Sequence, residues 1–200
     1  MISMSHVVAD SSFYLLFYAD LGDKDSLHHV LRQFEMCAGE RLRGELNRHI
    51  ANDPDFDQLV HNVSNDIDFV QILKSFYSFL YNQFPEYANW LADGEFEAIA
   101  ISYHLNRRRI LRYLVIDDKD ARSFVEKRLA TLRRALVRTP IFLYKAYTVD
   151  KKLKQEFVVG IFENIRMAIA LGKSPLNLDS EGWGKYIKPL IDDMNLRTSD

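Results

Sequence analysis

The sequence predicts an α/β fold in three layers, with helices on both sides of a small central parallel sheet. Three short apolar runs, residues 5–9, 34–38 and 112–116, have the length and composition of buried strands. Segments with the apolar spacing of amphipathic helices separate these runs along the chain. This alternation is typical of βαβ units, in which a helix connects two parallel strands.

The helices are predicted from apolar side chains that recur every three or four residues. This spacing covers residues 40–50, 66–84, 94–105, 119–132 and 151–171. Asp93 is placed to cap the helix that follows it, and Pro85 to end the helix before it. A further strand is predicted over residues 136–144, interrupted by Pro140, and a short polar tail is predicted after Pro175.

A single domain is expected because the chain contains neither a linker nor an internal repeat. Its 200 residues are 48% apolar and 12% aromatic, which is enough for a core, and include only 8 Gly and 5 Pro. That composition excludes disordered and fibrous proteins. Residues 1–147 are expected to form the main α/β unit, and residues 148–200 a helical C-terminal extension packed on the same domain.

Cys37 is the only cysteine, so an internal disulfide is excluded and a reducing compartment is expected. Its apolar neighbours in residues 34–38 favour a buried structural cysteine over a catalytic nucleophile. No apolar stretch approaches the length of a membrane span, and no signal-peptide pattern opens the chain. We therefore expect a cytoplasmic protein without a membrane partner.

The net charge of −2 combines two halves of opposite sign. Residues 1–100 carry 6 Lys or Arg against 16 Asp or Glu, a net −10, and residues 101–200 carry 20 against 12, a net +8. Either solvated helices happen to differ in charge, or an acidic pocket lies beside a basic surface that binds a polyanion. Arg107 and Arg108 belong to a basic cluster that would bind RNA phosphates, although cations are also favoured near a helix C-terminus.

Acidic side chains gather where predicted strands end and predicted helices begin. Asp10 follows the first strand, Asp117 and Asp118 follow another, and Glu97 lies in the first turn of a helix. Ligand sites of parallel sheets lie beyond the carboxyl ends of the strands, and buried carboxylates there need a cation. Carboxylates without a His or Cys partner suit a hard ion such as Mg²⁺ or Mn²⁺.

The alternative is that these acids only cap helices, because the positive end of the helix dipole favours negative charge. We attribute Asp93 and Glu95 to such helix starts. Glu97 directly precedes an apolar turn and is therefore expected closer to the core. Successive residues of an extended chain face opposite sides, so one of Asp117 and Asp118 is expected in the pocket and the other at the following helix.

Three motifs resemble those of PIN-domain proteins, in the branch related to bacterial and archaeal toxin ribonucleases. They are Asp10-Ser11-Ser12, Gly94-Glu95-Phe96-Glu97-Ala98-Ile99-Ala100, and Ile116-Asp117-Asp118-Lys119-Asp120-Ala121-Arg122. Their order and spacing agree with the family over residues 5–147. The family's second acid lies on a helix after the second strand, where this chain has Gly44-Glu45-Leu46, with Glu40 as a competitor.

The resemblance implies a PIN-like fold and a metal-dependent endoribonuclease that hydrolyses RNA phosphodiester bonds with Mg²⁺ or Mn²⁺. The implied catalytic and metal-binding carboxylates are Asp10, Glu45, Glu97 and Asp118, with Asp117 as a further metal ligand. The expected substrate-binding residues are Ser12, Arg107, Arg108, Arg122 and Thr139. Thr139 lies in residues 137–141, where the family often has a turn containing Gly and Thr.

By the same resemblance, the protein would be the toxin of a toxin–antitoxin pair, with an antitoxin-type protein partner and a homodimeric state. A catalytically inactive PIN-like module that binds RNA or protein is the alternative, favoured by the altered turn at 137–141 and the extended C-terminal helix. A phosphatase or a DNA nuclease using the same carboxylates is a third possibility.

Overall fold

A computed structural model describes residues 5–86 and 94–197 of the chain. Within these residues five parallel strands form one sheet in the order β3-β2-β1-β4-β5. The strands are β1 (His6–Ala9), β2 (Glu35–Ala38), β3 (Val60–Asn62), β4 (Leu111–Val115) and β5 (Leu136–Val137). The predicted α/β class with a central parallel sheet is therefore confirmed.

The described α-helices follow and separate the strands. They are α1 (Ser11–Leu15), α2 (Lys24–Leu31), α3 (Glu40–Ile50), α4 (Phe56–Leu59), α5 (Ile67–Gln83), α6 (Gly94–Arg107), α7 (Lys119–Arg128), α8 (Thr139–Thr148), α9 (Gln155–Ala170), α10 (Ser180–Tyr186) and α11 (Lys188–Arg197). A π-helical segment, Leu16–Leu21, continues α1. The predicted cap of α6, Asp93, lies outside the described residues.

Alternate residues of each strand pack into two separate hydrophobic cores, one on each face of the sheet. Val7 and Ala9 of β1 pack with helices α1, α3, α8 and α9, whereas Val8 packs with α5, α6 and α7. This alternation follows from the two-residue period of a strand. Two cores on opposite faces of one sheet are compatible with a three-layer α/β/α arrangement.

Residues beyond 148 contribute to the hydrophobic core that contains Val7 and Ala9. Phe162 of α9 and Met194 of α11 are fully buried in the same cluster as Phe13 and Phe142. None of the described helices combines the length and the apolar composition needed to cross a membrane.

The predicted strand over residues 136–144 is wrong beyond its first two residues. Only Leu136–Val137 is a strand, and the chain then turns into α8, whose first turn contains Pro140. Proline is favoured in the first turn of a helix because it has no N–H to leave unpaired there. The segment after Pro175, predicted as a polar tail, instead forms α10 and α11.

The strand order places a crevice beyond the carboxyl ends of β1 and β4. The chain leaves β1 toward β2 and β3 on one side of the sheet, and later adds β4 and β5 on the other. The connections after β1 and β4 therefore diverge at this point. Such a topological switch point is where open parallel sheets bind their ligands.

Candidate metal centre

Asp10 and Asp117 meet in this crevice, and we refer to them as the aspartate pair. Asp10 directly follows β1 and is fully buried, and Asp117 is 7% exposed. The backbone N–H of Asp117 donates to Asp10 Oδ2 at 2.9 Å, and the N–H of Phe13 donates to Asp10 Oδ1 at 3.2 Å. Asp10 therefore caps α1 and joins the ends of two neighbouring strands.

The Asp117 carboxylate is held in turn by Thr139, the first residue of α8. The Thr139 hydroxyl donates to Asp117 Oδ2 at 2.5 Å, and its backbone N–H donates to Oδ1 at 3.2 Å. Arg138 Nε lies 3.7 Å from Oδ1 of the same carboxylate. Thr139 is fully buried, so it positions Asp117 rather than contacting solvent.

Burial and proximity make the aspartate pair difficult to ionise fully. The pKa of Asp10 is raised to about 8, first by burial and then by the charge of Asp117, with a further contribution from Glu95. Burial also raises the pKa of Asp117, although Thr139, Arg138 and Arg122 oppose that rise. Two buried like charges are a costly arrangement that a bound cation relieves.

Asp118 is directed away from the pair and caps α7. Its Oδ1 accepts the N–H of Ala121 at 2.6 Å. The residue pattern left open which member of the Asp117-Asp118 pair would face the pocket, and the PIN resemblance implied Asp118 as the catalytic acid and both as metal ligands. In the structure Asp117 contacts Asp10, and Asp118 caps α7.

Glu97 reaches the start of another helix, α3. Its Oε2 accepts the backbone N–H groups of Arg41 at 3.0 Å and Leu42 at 3.1 Å, and the side chain is 3% exposed. The residue at the N-cap of α3 is Gly39, which has no side chain to cap the helix. Glu97 therefore supplies the missing cap, and burial raises its pKa.

Glu45 makes the converse contact from α3 to the start of α6. Its Oε1 accepts the backbone N–H of Gly94 at 2.8 Å. We refer to Glu45 and Glu97 as the glutamate pair, because each belongs to one of these two helices and caps the other. Both glutamates are thus engaged with backbone amides at helix starts.

The five carboxylates predicted as metal ligands do not converge on one point among the described residues. Within residues 5–86 and 94–197, no three Asp, Glu, His or Cys side chains are arranged to hold a metal ion. Asp10 and Asp117 come together, whereas Asp118, Glu45 and Glu97 each accept a backbone N–H from a different helix start.

The sequence interpretation underestimated Glu95, whose charge raises the pKa of Asp10. Residues two apart on a helix point about 200° apart, so Glu95 and Glu97 cannot face the same group. Glu97 faces the start of α3. This angular rule was available from the sequence, but which of the two glutamates would act on Asp10 by its charge depended on how α6 packs.

The predicted substrate-binding residues divide between two places. Ser12 lies in the first turn of α1 beside Asp10, Thr139 contacts Asp117, and the charge of Arg122 acts on Asp117. Arg107 and Arg108 instead lie at the far end of α6, where they line a separate cavity.

Cys37 is buried in β2, and burial raises the pKa of its thiol to about 12. This agrees with the structural role favoured by its apolar neighbours. A thiol that remains protonated at neutral pH is a poor nucleophile. The chemistry of the crevice is therefore that of its carboxylates.

The donor atoms of the aspartate pair fit a hard divalent cation. Mg²⁺ is commonly bound through one or two carboxylates, and water and substrate phosphate complete its coordination. Each carboxylate oxygen can accept more than one contact, so the hydrogen bonds of Asp10 and Asp117 do not exhaust their lone pairs. Two carboxylates at the switch point thus suit one Mg²⁺ or Mn²⁺ ion.

Comparison with known proteins shows no match to any family model, to any curated protein or to any solved structure. Function is therefore inferred from the geometry of the aspartate pair and its neighbours.

Proposed function

We propose that the protein is a PIN-like, divalent-metal-dependent endoribonuclease whose centre is the aspartate pair. The observation that carries this proposal is the meeting of Asp10 and Asp117, both buried, at the topological switch point of a parallel sheet. Buried carboxylates whose pKa values are raised are frequent at functional sites, and burial raises the pKa of both Asp10 and Asp117.

Asp10 and Asp117 would hold the cation, and the negative charge of Glu95 also acts on Asp10. A bound divalent cation supplies an activated water and neutralises the charge that develops on the scissile phosphate. Thr139 fixes the Asp117 carboxylate by two hydrogen bonds. Hydrogen bonds of this kind hold a carboxylate in the orientation in which it can bind a metal ion.

Positive charge near the pair gives the phosphate a place to bind. Arg138 lies beside Asp117, and the charge of Arg122 also acts on Asp117. Guanidinium groups bind phosphate oxygens in a bidentate manner. We assign Arg138, which the sequence interpretation did not select, to the substrate phosphate together with Arg122.

Asp10 carries a proton at neutral pH in the metal-free protein, because its pKa is raised to about 8. A cation that binds the pair requires the ionised carboxylate, so Asp10 must release this proton on loading. The midpoint for stabilisation by Mn²⁺ is therefore expected to move to lower Mn²⁺ concentration as the pH rises.

The test is the cleavage of labelled single-stranded RNA with Mn²⁺ or Mg²⁺. Asp10→Asn and Asp117→Asn are each expected to slow cleavage by about 100-fold or more, since each removes a charge that acts in the transition state. Asp118→Asn is expected to retain most activity, because asparagine also caps helices well.

The matched control is Asp120→Asn, an exposed aspartate in the first turn of α7. This variant is expected to cleave at the wild-type rate. Equal cleavage by wild type, Asp10→Asn and Asp117→Asn would reject the proposal. Loss of activity in Asp118→Asn alone would restore the original assignment of Asp118.

The second candidate function is a catalytically inactive PIN-like module that binds RNA or protein. It is favoured by the lack, among the described residues, of a group of three metal ligands. This candidate predicts RNA binding without cleavage and no stabilisation by Mn²⁺. The toxin role, the antitoxin partner and the homodimer stay predictions. The toxin role is tested by expressing the protein in cells: wild type is expected to arrest growth, and Asp10→Asn is not.

A further inference from the structure

A cavity of about 920 Å³ lies between α5 and α6, at the end of α6 remote from the aspartate pair. The described residues that line it are Gln71, Ser75, Phe76, Phe79, Tyr103, His104, Arg107 and Arg108. These side chains combine aromatic rings, hydrogen-bonding groups and cations. The lining contains no acidic side chain among the residues described.

The aromatic part of the cavity is a short ladder of rings. Phe76 is buried and lies 4.9 Å from Tyr103 between ring centroids, with 34° between the ring planes. Phe79 lies 6.2 Å from Phe76 and is 42% exposed. A phenyl ring this exposed, supported by a buried ring beneath it, is available to a flat ligand.

The charged part of the cavity is at the last turn of α6. Arg107 and Arg108 are both exposed, and neither has an ion-pair partner among residues 5–86 and 94–197. His104 lies one turn earlier on the same helix. Unpaired guanidinium groups beside exposed rings suit a ligand that is both aromatic and anionic.

We propose that this cavity binds single-stranded RNA, with a base stacked on Phe79 and backbone phosphates on Arg107 and Arg108. Aromatic rings beside a cationic surface are the general means of binding single strands. A duplex does not fit this chemistry, because its bases are already stacked on each other. The cavity volume lies within the range of small-ligand sites, so it holds one or two nucleotides of a longer strand.

The choice of RNA as the ligand rests on the proposed function. The RNA strand bound in the cavity would be the same strand that is cleaved at the aspartate pair. Glu95 and Arg107 lie at opposite ends of α6, about 18 Å apart along the helix axis. A strand that reaches both places runs along α6. The cavity would hold the substrate away from the bond that is cleaved.

Binding is measured without cleavage, by fluorescence anisotropy of a labelled RNA of about 12 nucleotides in EDTA. Phe79→Ala is expected to weaken binding about tenfold, and to leave binding of an abasic strand of the same length unchanged. Arg107→Ala/Arg108→Ala is expected to weaken both probes and to lower the salt slope of the binding constant by about 1.4.

Two controls match these variants. Tyr81→Ala removes another exposed ring of α5 that does not line the cavity, and Lys185→Ala/Lys188→Ala removes two exposed cations from the opposite side of the sheet. If Phe79→Ala and the arginine variant bind RNA as tightly as these controls, the proposal is overturned. Tighter binding of polyglutamate than of RNA would also overturn it, in favour of an acidic protein partner.

The result is separable from that of the nuclease proposal. The two proposals have different readouts, because the cavity variants are tested by RNA binding in EDTA and Asp10→Asn is tested by cleavage with Mn²⁺ or Mg²⁺. Loss of binding in the cavity variants without any cleavage by wild type would support the cavity and reject the nuclease. If Asp10→Asn abolishes cleavage but the cavity variants bind RNA as wild type does, the nuclease proposal is supported and the cavity proposal is rejected.

Discussion

The aspartate pair and the glutamate pair use the same chemical group at the same end of the molecule in different ways. Asp10 and Asp117 are close together and buried, and the pKa of Asp10 is raised first by burial and then by the charge of Asp117. Glu45 and Glu97 are each directed to the N–H groups of a different helix start. The glutamates stabilise the fold, whereas the aspartates are held together against their own repulsion.

This difference shows that acidic residues of a sequence motif can have either of two structural roles. A carboxylate at a helix start is stabilised by unpaired N–H groups and by the dipole, so it needs no ligand. Asp10 and Asp117 also accept N–H groups at helix starts, but each lies beside a second buried carboxylate, which opposes full ionisation of the pair. Only the aspartate pair meets the second condition, and it is the pair on which a function is proposed.

The largest expected effect is a change in the free energy of unfolding with pH. It tests whether ionisation of Asp10 beside Asp117 destabilises the metal-free protein. The unfolded chain releases the Asp10 proton near pH 4, and the folded protein releases it near pH 8. The folded state binds more protons at Asp10 between these values, so the contribution of Asp10 to stability is full below pH 4 and is lost as the pH rises through 8. Each pKa unit corresponds to about 1.4 kcal/mol, so the loss is on the order of several kcal/mol.

Urea unfolding in EDTA from pH 5 to pH 9 measures this effect. Asp117→Asn keeps hydrogen bonds to Thr139 but removes one charge, so its stability is expected to fall less steeply and to exceed that of wild type at pH 8. The control Asp120→Asn is expected to follow wild type. If the stability of wild type and of Asp117→Asn changes with pH in the same way, the charge of Asp117 does not raise the pKa of Asp10.

The second prediction concerns Gly39 and tests whether Glu97 acts as a helix cap. A Cβ on Gly39 would overlap the Glu97 carboxylate, although the extended backbone there suits any residue. Gly39→Ala therefore displaces Glu97 from two N–H groups, and is expected to destabilise the protein by about 2 kcal/mol. Chemical denaturation measures the loss.

Gly44→Ala is the matched control in the same helix. A Cβ at Gly44 meets nothing within 4 Å, so this change is expected to stabilise the protein by about 0.5–1 kcal/mol. In a Glu97→Ala background, Gly39→Ala is expected to cause a smaller further loss. Equal losses in both backgrounds would mean that Gly39 is not coupled to Glu97.

The smallest expected effect concerns Glu45, for which capping and metal binding make different predictions. Glu45→Ala removes the acceptor of the Gly94 N–H and is expected to destabilise the protein by about 1 kcal/mol, a shift in Tm of about 2–4 °C. Glu45→Gln keeps an acceptor and is expected to recover most of that stability. Loss of RNA cleavage in Glu45→Gln with intact stability would assign Glu45 to the metal after all.

The sequence predicted the elements that are defined by local patterns. Strands β1, β2 and β4 and helix α3 were placed within one residue of their observed ends, because each is a short, mostly apolar run or a regular helical period. Strand β3 was missed, since its three residues include the polar His61 and Asn62. The start of α8 was missed because Pro140 was taken as an interruption of a strand rather than as a helix start.

For the candidate site, local patterns located the acids but not their partners. Asp10 was predictable because it directly follows a buried strand. The contacts of Glu97 with Arg41 and of Glu45 with Gly94 join residues about 50 positions apart, so they depend on how α3 and α6 pack. No periodicity within either helix contains that information.

The exchange of caps between α3 and α6 has a consequence for how the chain folds. The N-cap of α3 is Gly39, which offers no side-chain acceptor, so the amides of Arg41 and Leu42 are paired only when Glu97 docks, and the Gly94 amide of α6 is paired with Glu45 in the same docking. The two helix starts are therefore expected to form and open as one cooperative unit. The contact of Glu45 with Gly94 joins residues 49 positions apart, and that of Glu97 with Arg41 joins residues 56 positions apart. We therefore expect both contacts to form late in folding, because each requires closure of a long loop.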